Sequence, residues 1–202
     1  MEFVKEFATF LYQNGAVKFG NFKLSSGKDS PYYIDLRVVP SYPHQFRKMI
    51  KTLQNLISEK VGFDNFDCIA SVPTSGLVIA SALAIEIIKP LIYIRTKPKE
   101  YGTENIIEGK IVSGTRVLLV DDVATTGLSL INAIKSLKNA GMVVTDAFTI
   151  INRLEGARKA LEAENVRLYE ITDITTLATT LHQENFIDNQ TLDRVKKQIG
   201  LI

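Results

Sequence analysis

Short apolar segments alternate with helical patterns along most of this chain, and that alternation restricts the fold more than any other feature of the sequence. Apolar runs rich in β-branched residues predict buried strands, whereas apolar residues spaced three or four apart predict amphipathic helices. The predicted strands cover residues 67–72, 91–95, 116–121, 142–151 and 166–171. Because strands separated by helices form parallel sheets, we expect an α/β fold, with a mainly parallel, twisted sheet and helices on both faces.

The remaining segments complete one domain in this interpretation. Helical patterns cover residues 1–15, 43–62, 77–88, 128–140, 154–164, 173–182 and 188–199. Residues 15–37 read as short strands joined by turns. A chain of 202 residues is long enough for one sizeable core. We therefore expect a single domain over 1–202, in which residues up to about 40 contribute to a small cap, or hood.

Composition and charge exclude several classes of protein. The formal net charge is +2, which does not indicate a nucleic-acid partner, and two His with one Cys argue against a structural zinc site. Cys68 lies in a predicted strand, where it is expected to be a small core residue. The longest apolar stretch, 76–88, is interrupted by Glu86, and the N-terminus lacks a signal peptide. We expect a soluble, cytoplasmic protein that binds neither nucleic acid nor membrane.

Residues 117–129, VLLVDDVATTGLS, combine two features that conflict in charge. A strand, a turn of small residues at Thr125–Ser129 and a helix N-terminus form a cradle whose N–H groups favour a phosphate. Asp121 and Asp122 stand directly before that cradle. Carboxylates repel phosphate but accept hydrogen bonds from hydroxyl groups. A ribose 5-phosphate satisfies both features, with its phosphate on the turn and its hydroxyls on the two carboxylates.

Other strands that end in acids do not match. A Walker B strand requires a G-x-x-x-x-G-K-[ST] loop, and SSGKDS lacks its first Gly. In a response-regulator receiver the strand with adjacent acids opens the domain, whereas too little chain follows it here. No G-x-G-x-x-G follows a strand. Ligands of α/β sheets bind beyond the carboxyl ends of the strands, so segments 71–76, 96–109 and 121–129 should open on one rim.

The stretch 117–129 resembles the 5-phosphoribosyl 1-diphosphate (PRPP) motif of the type I phosphoribosyltransferases. Residues 22–37, 95–109 and 148–158 further resemble segments of the orotate phosphoribosyltransferase family, and they occur in that family's order. The resemblance runs from about residue 3 to about residue 175. It implies the type I phosphoribosyltransferase fold and a transferase of pyrimidine biosynthesis, which converts PRPP and orotate to orotidine 5′-monophosphate and diphosphate.

The resemblance also implies a role for particular residues. The catalytic positions are Lys99, Arg95, Asp121 and Asp122. The PRPP-binding positions are Thr74, Ser75, Gly76, Arg95, Lys99, Tyr101, Asp121, Asp122, Val123, Ala124, Thr125, Thr126, Gly127, Leu128 and Ser129. The orotate-binding positions are Thr125, Arg153, Tyr32 and Tyr33. Mg²⁺ is carried mainly by PRPP, with no metal site in the protein itself, and the catalytic loop is shared between the subunits of a homodimer.

Several positions depart from the pattern of many bacterial members. Thr96 and Tyr101 replace a Lys and a His, and Ser25 and Ser75 each replace a Lys. Archaeal-type members share such substitutions. Arg95 and Lys99 then remain as side-chain counterions for the departing diphosphate, and the identity of any general acid stays open.

The sequence leaves two rival functions open. A phosphoribosyltransferase for a purine or for uracil would have less use for Arg153, because a neutral base gives a guanidinium less to pair with. A PRPP-sensing regulator of transcription would need a DNA-binding extension, and no helix-turn-helix pattern is visible.

Overall fold

The computed structural model describes residues 2–23, 27, 29–95, 106–110 and 112–202. Its helices are α1 (Glu2–Gln13), α2 (Pro43–Lys60), α3 (Ser75–Ile87), α4 (Leu128–Asn139), α5 (Ala157–Glu162), α6 (Ile174–Gln183) and α7 (Asn189–Gln198). Its strands are β1 (Val17–Lys23), β2 (Asp29–Ile34), β3 (Cys68–Ser71), β4 (Leu91–Ile94), β5 (Ile107–Glu108), β6 (Arg116–Ala124), β7 (Val143–Asn152) and β8 (Arg167–Asp173). Short 3₁₀ helices cover Leu36–Ser41 and Phe63–Asn65. Among these residues, no helix is both long and apolar enough to cross a bilayer.

The chain divides into two compact units, of which the first combines residues 1–49 with residues 172–202. In this unit β1 and β2 form an antiparallel pair, with Val17 opposite Ile34. Tyr32 from β2 packs in a buried cluster with apolar residues of α6 and α7. The hood predicted from the N-terminal segment thus shares its unit with the two C-terminal helices, which the sequence interpretation had not placed there. The single domain over 1–202 stays a prediction.

The second unit, residues 50–171, contains most of a six-stranded sheet in the order β5-β4-β3-β6-β7-β8. Strands β4, β3, β6 and β7 pair in parallel, as expected from the alternation of strands and helices. The short strand β5 pairs antiparallel with β4 and was not predicted, because two residues carry no period of their own. The mainly parallel sheet is confirmed, with the short antiparallel strand β5 at one edge.

Helices cover both faces of this sheet. On one face, alternate residues of β3 and β6, such as Ala70 and Leu119, join the core cluster that contains the apolar residues of α4 and α5. Helix α3 contacts β3, β4 and β6 but contributes nothing to that cluster, so it packs on the other face. Cys68 is 4% exposed, and burial raises the pKa of its thiol to about 11. Its predicted place in the core is confirmed.

Three element boundaries differ from the sequence interpretation, and all three adjoin the predicted site. Strand β6 continues to Ala124 instead of ending at residue 121, because its last residues stay paired with β7. Helix α3 begins at Ser75, two residues early. Helix α5 begins at Ala157 rather than at residue 154, since Leu154 and Gly156 adopt positive φ values of 59° and 109°, which a helix does not contain.

Candidate active site

The two acidic residues of the predicted PRPP motif both lie inside strand β6, whereas the predicted strand ended at the first of them. Asp121 pairs in register with Thr149 of β7, and Ala124 pairs with Asn152. The hydroxyl of Thr149 donates a hydrogen bond to the carbonyl oxygen of Asp122 over 2.9 Å. This pairing holds the backbone that carries both carboxylates in a strand of a buried sheet.

Helix α4 begins directly beyond the end of β6, after a turn that includes Thr125 and Thr126. Gly127 precedes the helix with φ 83°, and no side chain among the described residues caps the first turn. A Cβ on Gly127 would lie 2.9 Å from Cδ1 of Leu161 and 3.1 Å from Cα of Ala157. The first N–H groups of α4 are therefore available to an anion, in the geometry that binds phosphate at helix N-termini. Leu128 is 65% exposed here, and Ser129 lies in the first turn.

A second helix N-terminus approaches the same carboxylates from β3. Helix α3 begins at Ser75, after Thr74, whose side chain makes no capping hydrogen bond. A Cβ on Gly76 would lie 2.5 Å from Oδ1 of Asp121 and 2.8 Å from Oγ of Ser71. Only glycine permits this approach, so the predicted diphosphate segment and the acidic pair lie side by side.

Asp121 is the more buried of the two carboxylates. It is 7% exposed, and its Oδ1 accepts a hydrogen bond from the backbone N–H of Asp122 over 2.9 Å. The pKa of Asp121 is raised well above its usual range, mainly because the carboxyl group is buried and secondly because of the negative charge of Asp122. Asp122 is half-buried, which leaves it the better placed of the two to accept a hydrogen bond from a ligand hydroxyl.

Arg153 follows the last residue of β7 and lies against the end of β6. Its backbone N–H donates to the carbonyl oxygen of Ala124 over 2.8 Å, and the N–H of Ala157 donates to Thr125 over 3.2 Å. The Arg153 side chain is almost fully buried, and its Nε and Nη2 both donate to Oε1 of Glu155, over 2.9 and 2.8 Å. Glu155 was not among the predicted residues, although it stands only two positions further in the sequence.

Arg95 lies at the end of β4, where the predicted catalytic loop begins. Its backbone N–H donates to Ile106 over 2.8 Å, and its guanidinium forms an ion pair with Glu108 over 3.4 Å. A cavity of about 520 Å³ is lined by Arg95 and by one residue from each predicted rim segment, namely Val72, Ile106 and Ser129. The three segments thus meet on one rim, as expected. Lys99 and Tyr101 lie outside the described residues.

The adjacent tyrosines of β2 belong to the first unit and differ in exposure. Tyr32 has no exposed surface, because its ring is enclosed by the apolar cluster of α6 and α7. Tyr33 is half-buried, and its ring centroid lies 5.8 Å from that of Phe22. Neighbouring residues on a strand point to opposite sides. Burial favours Tyr33 over Tyr32 as a ligand contact, and that role stays a prediction.

Asp121 and Asp122 could contact a metal ion that is already bound to the phosphate groups of a substrate. In the described part of the chain, no three His, Cys, Asp or Glu side chains cluster closely enough to hold a metal. Mg²⁺ commonly binds through one or two carboxylates together with substrate phosphates and water. Asp121 and Asp122 fit that limited role and do not form a cage.

The site so assembled defines a class of protein. Two helix N-termini for phosphate groups flank a pair of carboxylates suited to sugar hydroxyls, beyond the carboxyl ends of a parallel sheet. That arrangement belongs to proteins that bind a phosphorylated ribose. The Phosphoribosyl transferase domain family model matches residues 42–180.

Comparison with known proteins narrows the class. The chain is 50% identical to the orotate phosphoribosyltransferase of Cenarchaeum symbiosum, over 97% of this chain and 98% of that one. The crystal structure of orotate phosphoribosyltransferase from Aeropyrum pernix matches with a TM-score of 0.76 at 35% identity, over 90% of this chain and 99% of that one. The structure of Leishmania donovani UMP synthase matches with a TM-score of 0.85 at 32% identity, over 98% of this chain and 42% of that one. This chain belongs to the orotate phosphoribosyltransferases, the enzymes of the phosphoribosyltransferase family that serve pyrimidine biosynthesis.

Proposed function

We propose that this enzyme transfers the ribose 5-phosphate group of PRPP to orotate, with the ends of β6 and β7 as its binding site. The proposal rests on the contact between two parts of the sheet. The first is the end of β6, with the acidic pair and the phosphate cradle. The second is the turn that contains Arg153, whose backbone N–H donates a hydrogen bond to Ala124 of β6. A phosphorylated sugar and an anionic base fit side by side across that contact.

PRPP is held mainly by backbone groups and by the acidic pair in this proposal. The N–H groups from Thr126 to Ser129 bind the 5-phosphate, which the dipole of α4 also favours. Asp122, assisted by Asp121, accepts hydrogen bonds from the ribose hydroxyls. The N–H groups at Ser75 and Gly76 face the diphosphate.

The departing diphosphate carries the charge that the enzyme has to stabilise. Arg95 and Lys99 act as its side-chain counterions. Mg²⁺ bound to the diphosphate supplies further positive charge when PRPP is bound. Arg95 is held by Glu108 over 3.4 Å, which orients its guanidinium near the rim. No protein proton donor is assigned.

Arg153 binds the base. A guanidinium pairs with a carboxylate in a planar fork, and orotate is already an anion, so the base needs no strong general base to remove a proton. Glu155 accepts from both Nε and Nη2 of Arg153 and so fixes the orientation of the guanidinium, and the carboxylate of orotate has to share or replace that contact. Thr125 contacts the base as well, and Tyr33 remains the tyrosine proposed to bind orotate.

A base panel tests the activity. Purified enzyme with PRPP and Mg²⁺ is offered orotate, uracil, hypoxanthine and adenine in turn, and consumption of each base is followed by absorbance. We expect PRPP-dependent consumption of orotate alone. Consumption of a neutral base at a comparable rate would refute the assigned specificity, and PRPP-dependent retardation of DNA without turnover would favour a regulator.

We also propose that the enzyme is a homodimer in which each active site contains residues from both subunits. Three apolar side chains are exposed along α3 and at the residue that follows it: Val78, Ile85 and Ile88. They are spaced seven and three residues apart, and Ile85 and Ile88 are 82% and 89% exposed. Exposed apolar side chains that share a helix face are typical of a surface covered by a partner. A second copy placed there would cover α3 from Val78, which lies near the N-terminus and the diphosphate segment, to Ile88 just beyond the C-terminus. Ile85→Glu should therefore give monomers with little activity.

Sharing of the catalytic loop between subunits can be tested by complementation. Lys99→Ala impairs the loop and spares the pocket, whereas Asp122→Asn impairs the pocket and spares the loop; activity is measured well below the KM for PRPP, where weaker PRPP binding lowers the rate in proportion. Random reassortment of equal amounts makes half of the dimers mixed, and each mixed dimer has one complete site. Activity should return to about a quarter of the wild-type value. Verified subunit exchange without return of activity would show that each loop serves its own subunit.

The enzyme is proposed to work in the cytoplasm. Its single cysteine is buried and forms no disulfide among the described residues, as is usual in a reducing compartment. Fractionation of cells with an antibody to the protein tests this, and recovery with membranes or in secreted material would contradict it.

A further inference from the structure

The turn that carries Arg153 has an unusual backbone, and a side chain supports it. Leu154 adopts φ 59°, a left-handed conformation that residues with a side chain rarely occupy. The backbone N–H of Leu154 donates to Oδ1 of Asn152 over 2.9 Å. An Asn that accepts from the residue two positions on stabilises this kind of turn. Asn152 is 1% exposed, so this contact is protected from water.

Asn152 is held in turn by an ion pair further from the site. Its Nδ2 donates to Oε2 of Glu170 on β8 over 3.4 Å. Nη2 of Arg158 donates to both carboxylate oxygens of Glu170, over 2.6 and 2.7 Å. Nη1 of Arg158 donates to the carbonyl oxygen of Leu168 over 2.7 Å. A charged pair with three hydrogen bonds therefore fixes the amide that supports the turn.

We propose that the Arg158–Glu170–Asn152 chain positions Arg153 for the carboxylate of orotate and so determines selectivity for the anionic base. The inference rests on the proposed function, since it requires Arg153 to bind the base. Arg153 is held from its other side by the hydrogen bond to Ala124, so the turn is fixed between two strands. A planar guanidinium–carboxylate pair depends strongly on orientation. Displacement of the turn should weaken recognition of the carboxylate and leave recognition of the phosphate and ribose intact.

The same region of the sheet contains a second ion pair that serves as a matched control. Arg167 of β8 pairs with Asp146 of β7, with 2.9 Å between Nε and Oδ1. Both residues lie near the N-terminal ends of their strands, opposite to the site. Loss of either ion pair, Arg158–Glu170 or Arg167–Asp146, should lower the stability of the fold. Only the first ion pair is connected to Arg153, through the hydrogen bond between Glu170 and Asn152.

Binding of two nucleotides separates positioning from stability. Orotidine 5′-monophosphate and uridine 5′-monophosphate differ only by the carboxylate, so the ratio of their dissociation constants measures its recognition. Calorimetry on wild-type enzyme gives the reference ratio, and Arg153→Ala should remove the preference. Glu170→Ala should reduce the preference about tenfold, with uridine 5′-monophosphate affinity nearly unchanged. Glu170→Gln keeps an acceptor for Asn152 and should restore most of the preference.

The outcomes distinguish the two claims. Loss of preference in Glu170→Ala but not in Arg167→Ala supports the positioning role. A preference that Arg153→Ala removes and Glu170→Ala retains overturns that role and leaves the proposed function standing. A preference retained in Arg153→Ala overturns the assignment of Arg153 itself. An equal reduction in Glu170→Ala and Arg167→Ala shows a general loss of order in the sheet and also overturns the positioning role.

Discussion

The ends of β6 and β7 are neighbours in one sheet, yet they are built in different ways. Beyond β6 the site is made of backbone: small residues, a glycine at positive φ and the first turn of α4. At the end of β7 it is made of side chains: Arg153 donates to Glu155, and Asn152 accepts from the backbone N–H of Leu154. A phosphate accepts from donors on many sides, so uncapped N–H groups suffice for it. A planar carboxylate requires a fork aimed in one direction.

The ends of β6 and β7 should therefore be sensitive to different substitutions. The backbone site fails when a Cβ disturbs its geometry, and its binding of phosphate should tolerate changes of charge nearby. The side-chain site fails when one charged group is lost, because the ion pair between Arg153 and Glu155 is then broken inside a buried site.

The largest effect is expected at the Arg153 end. Arg153→Ala removes charge-assisted hydrogen bonds from a buried site and should lower kcat/KM for orotate about a hundredfold, mainly through KM. The KM for PRPP should change little. Arg153→Lys keeps the charge and loses the planar fork, so it should recover only part of the loss. Steady-state kinetics with each substrate varied in turn measure both effects, and unaltered orotate kinetics in Arg153→Ala would contradict the assignment.

Part of that loss should come from Glu155. Without Arg153, the Glu155 carboxylate is no longer neutralised by its guanidinium and repels an anionic base. The double variant Arg153→Ala with Glu155→Gln should therefore bind orotate better than Arg153→Ala alone. Simple additivity of the two single changes would show that Glu155 does not act through Arg153.

The same contrast explains how much the sequence reveals. The β6 end is contiguous, so a strand, two acids and a small-residue turn are visible in 117–129 as one pattern. The sheet follows from periodicity for the same reason. Arg153 was found by its resemblance to a family segment, but Glu170 lies 18 residues from Asn152, and no local pattern joins them. The end of β6 at Ala124 was also missed, since pairing with β7 extends the strand beyond Asp121 through Asp122, which has no preference for strands.

The backbone site has its own test in two glycines of similar conformation. Gly127 and Gly114 have φ 83° and 82°, but only Gly127 packs closely against other atoms. Alanine at either position meets the left-handed cost of about 1 kcal/mol. At Gly127 the clash with Leu161 and Ala157 should add about 1–3 kcal/mol. Urea denaturation should show this difference in the free energy of unfolding, and the KM for PRPP should rise in Gly127→Ala alone.

A smaller effect is expected where a single hydroxyl contact is weakened. Asp122→Asn keeps the shape and removes the charge that strengthens hydrogen bonds to ribose hydroxyls, so PRPP affinity should fall about tenfold. Inorganic phosphate, which has no ribose, should bind as before. Equal losses for both ligands would indicate that Asp122 supports the fold of the cradle instead.

The smallest effect concerns Asp121, whose ionised carboxylate should help to bind PRPP but lower the stability of the fold. Burial and the charge of Asp122 raise the pKa of Asp121, so the folded enzyme keeps this proton to higher pH than the unfolded chain does. The resulting stabilisation is complete below the unfolded pKa of about 3.9 and is lost as pH rises through the raised value. Asp121→Asn does not titrate, and its Oδ1 can still accept from the N–H of Asp122. The Tm of this variant relative to wild type should therefore increase with pH across that window, while PRPP binding weakens. Tm values for both proteins at matched pH steps measure the effect, and a difference that stays constant with pH would show that ionised Asp121 costs the fold nothing.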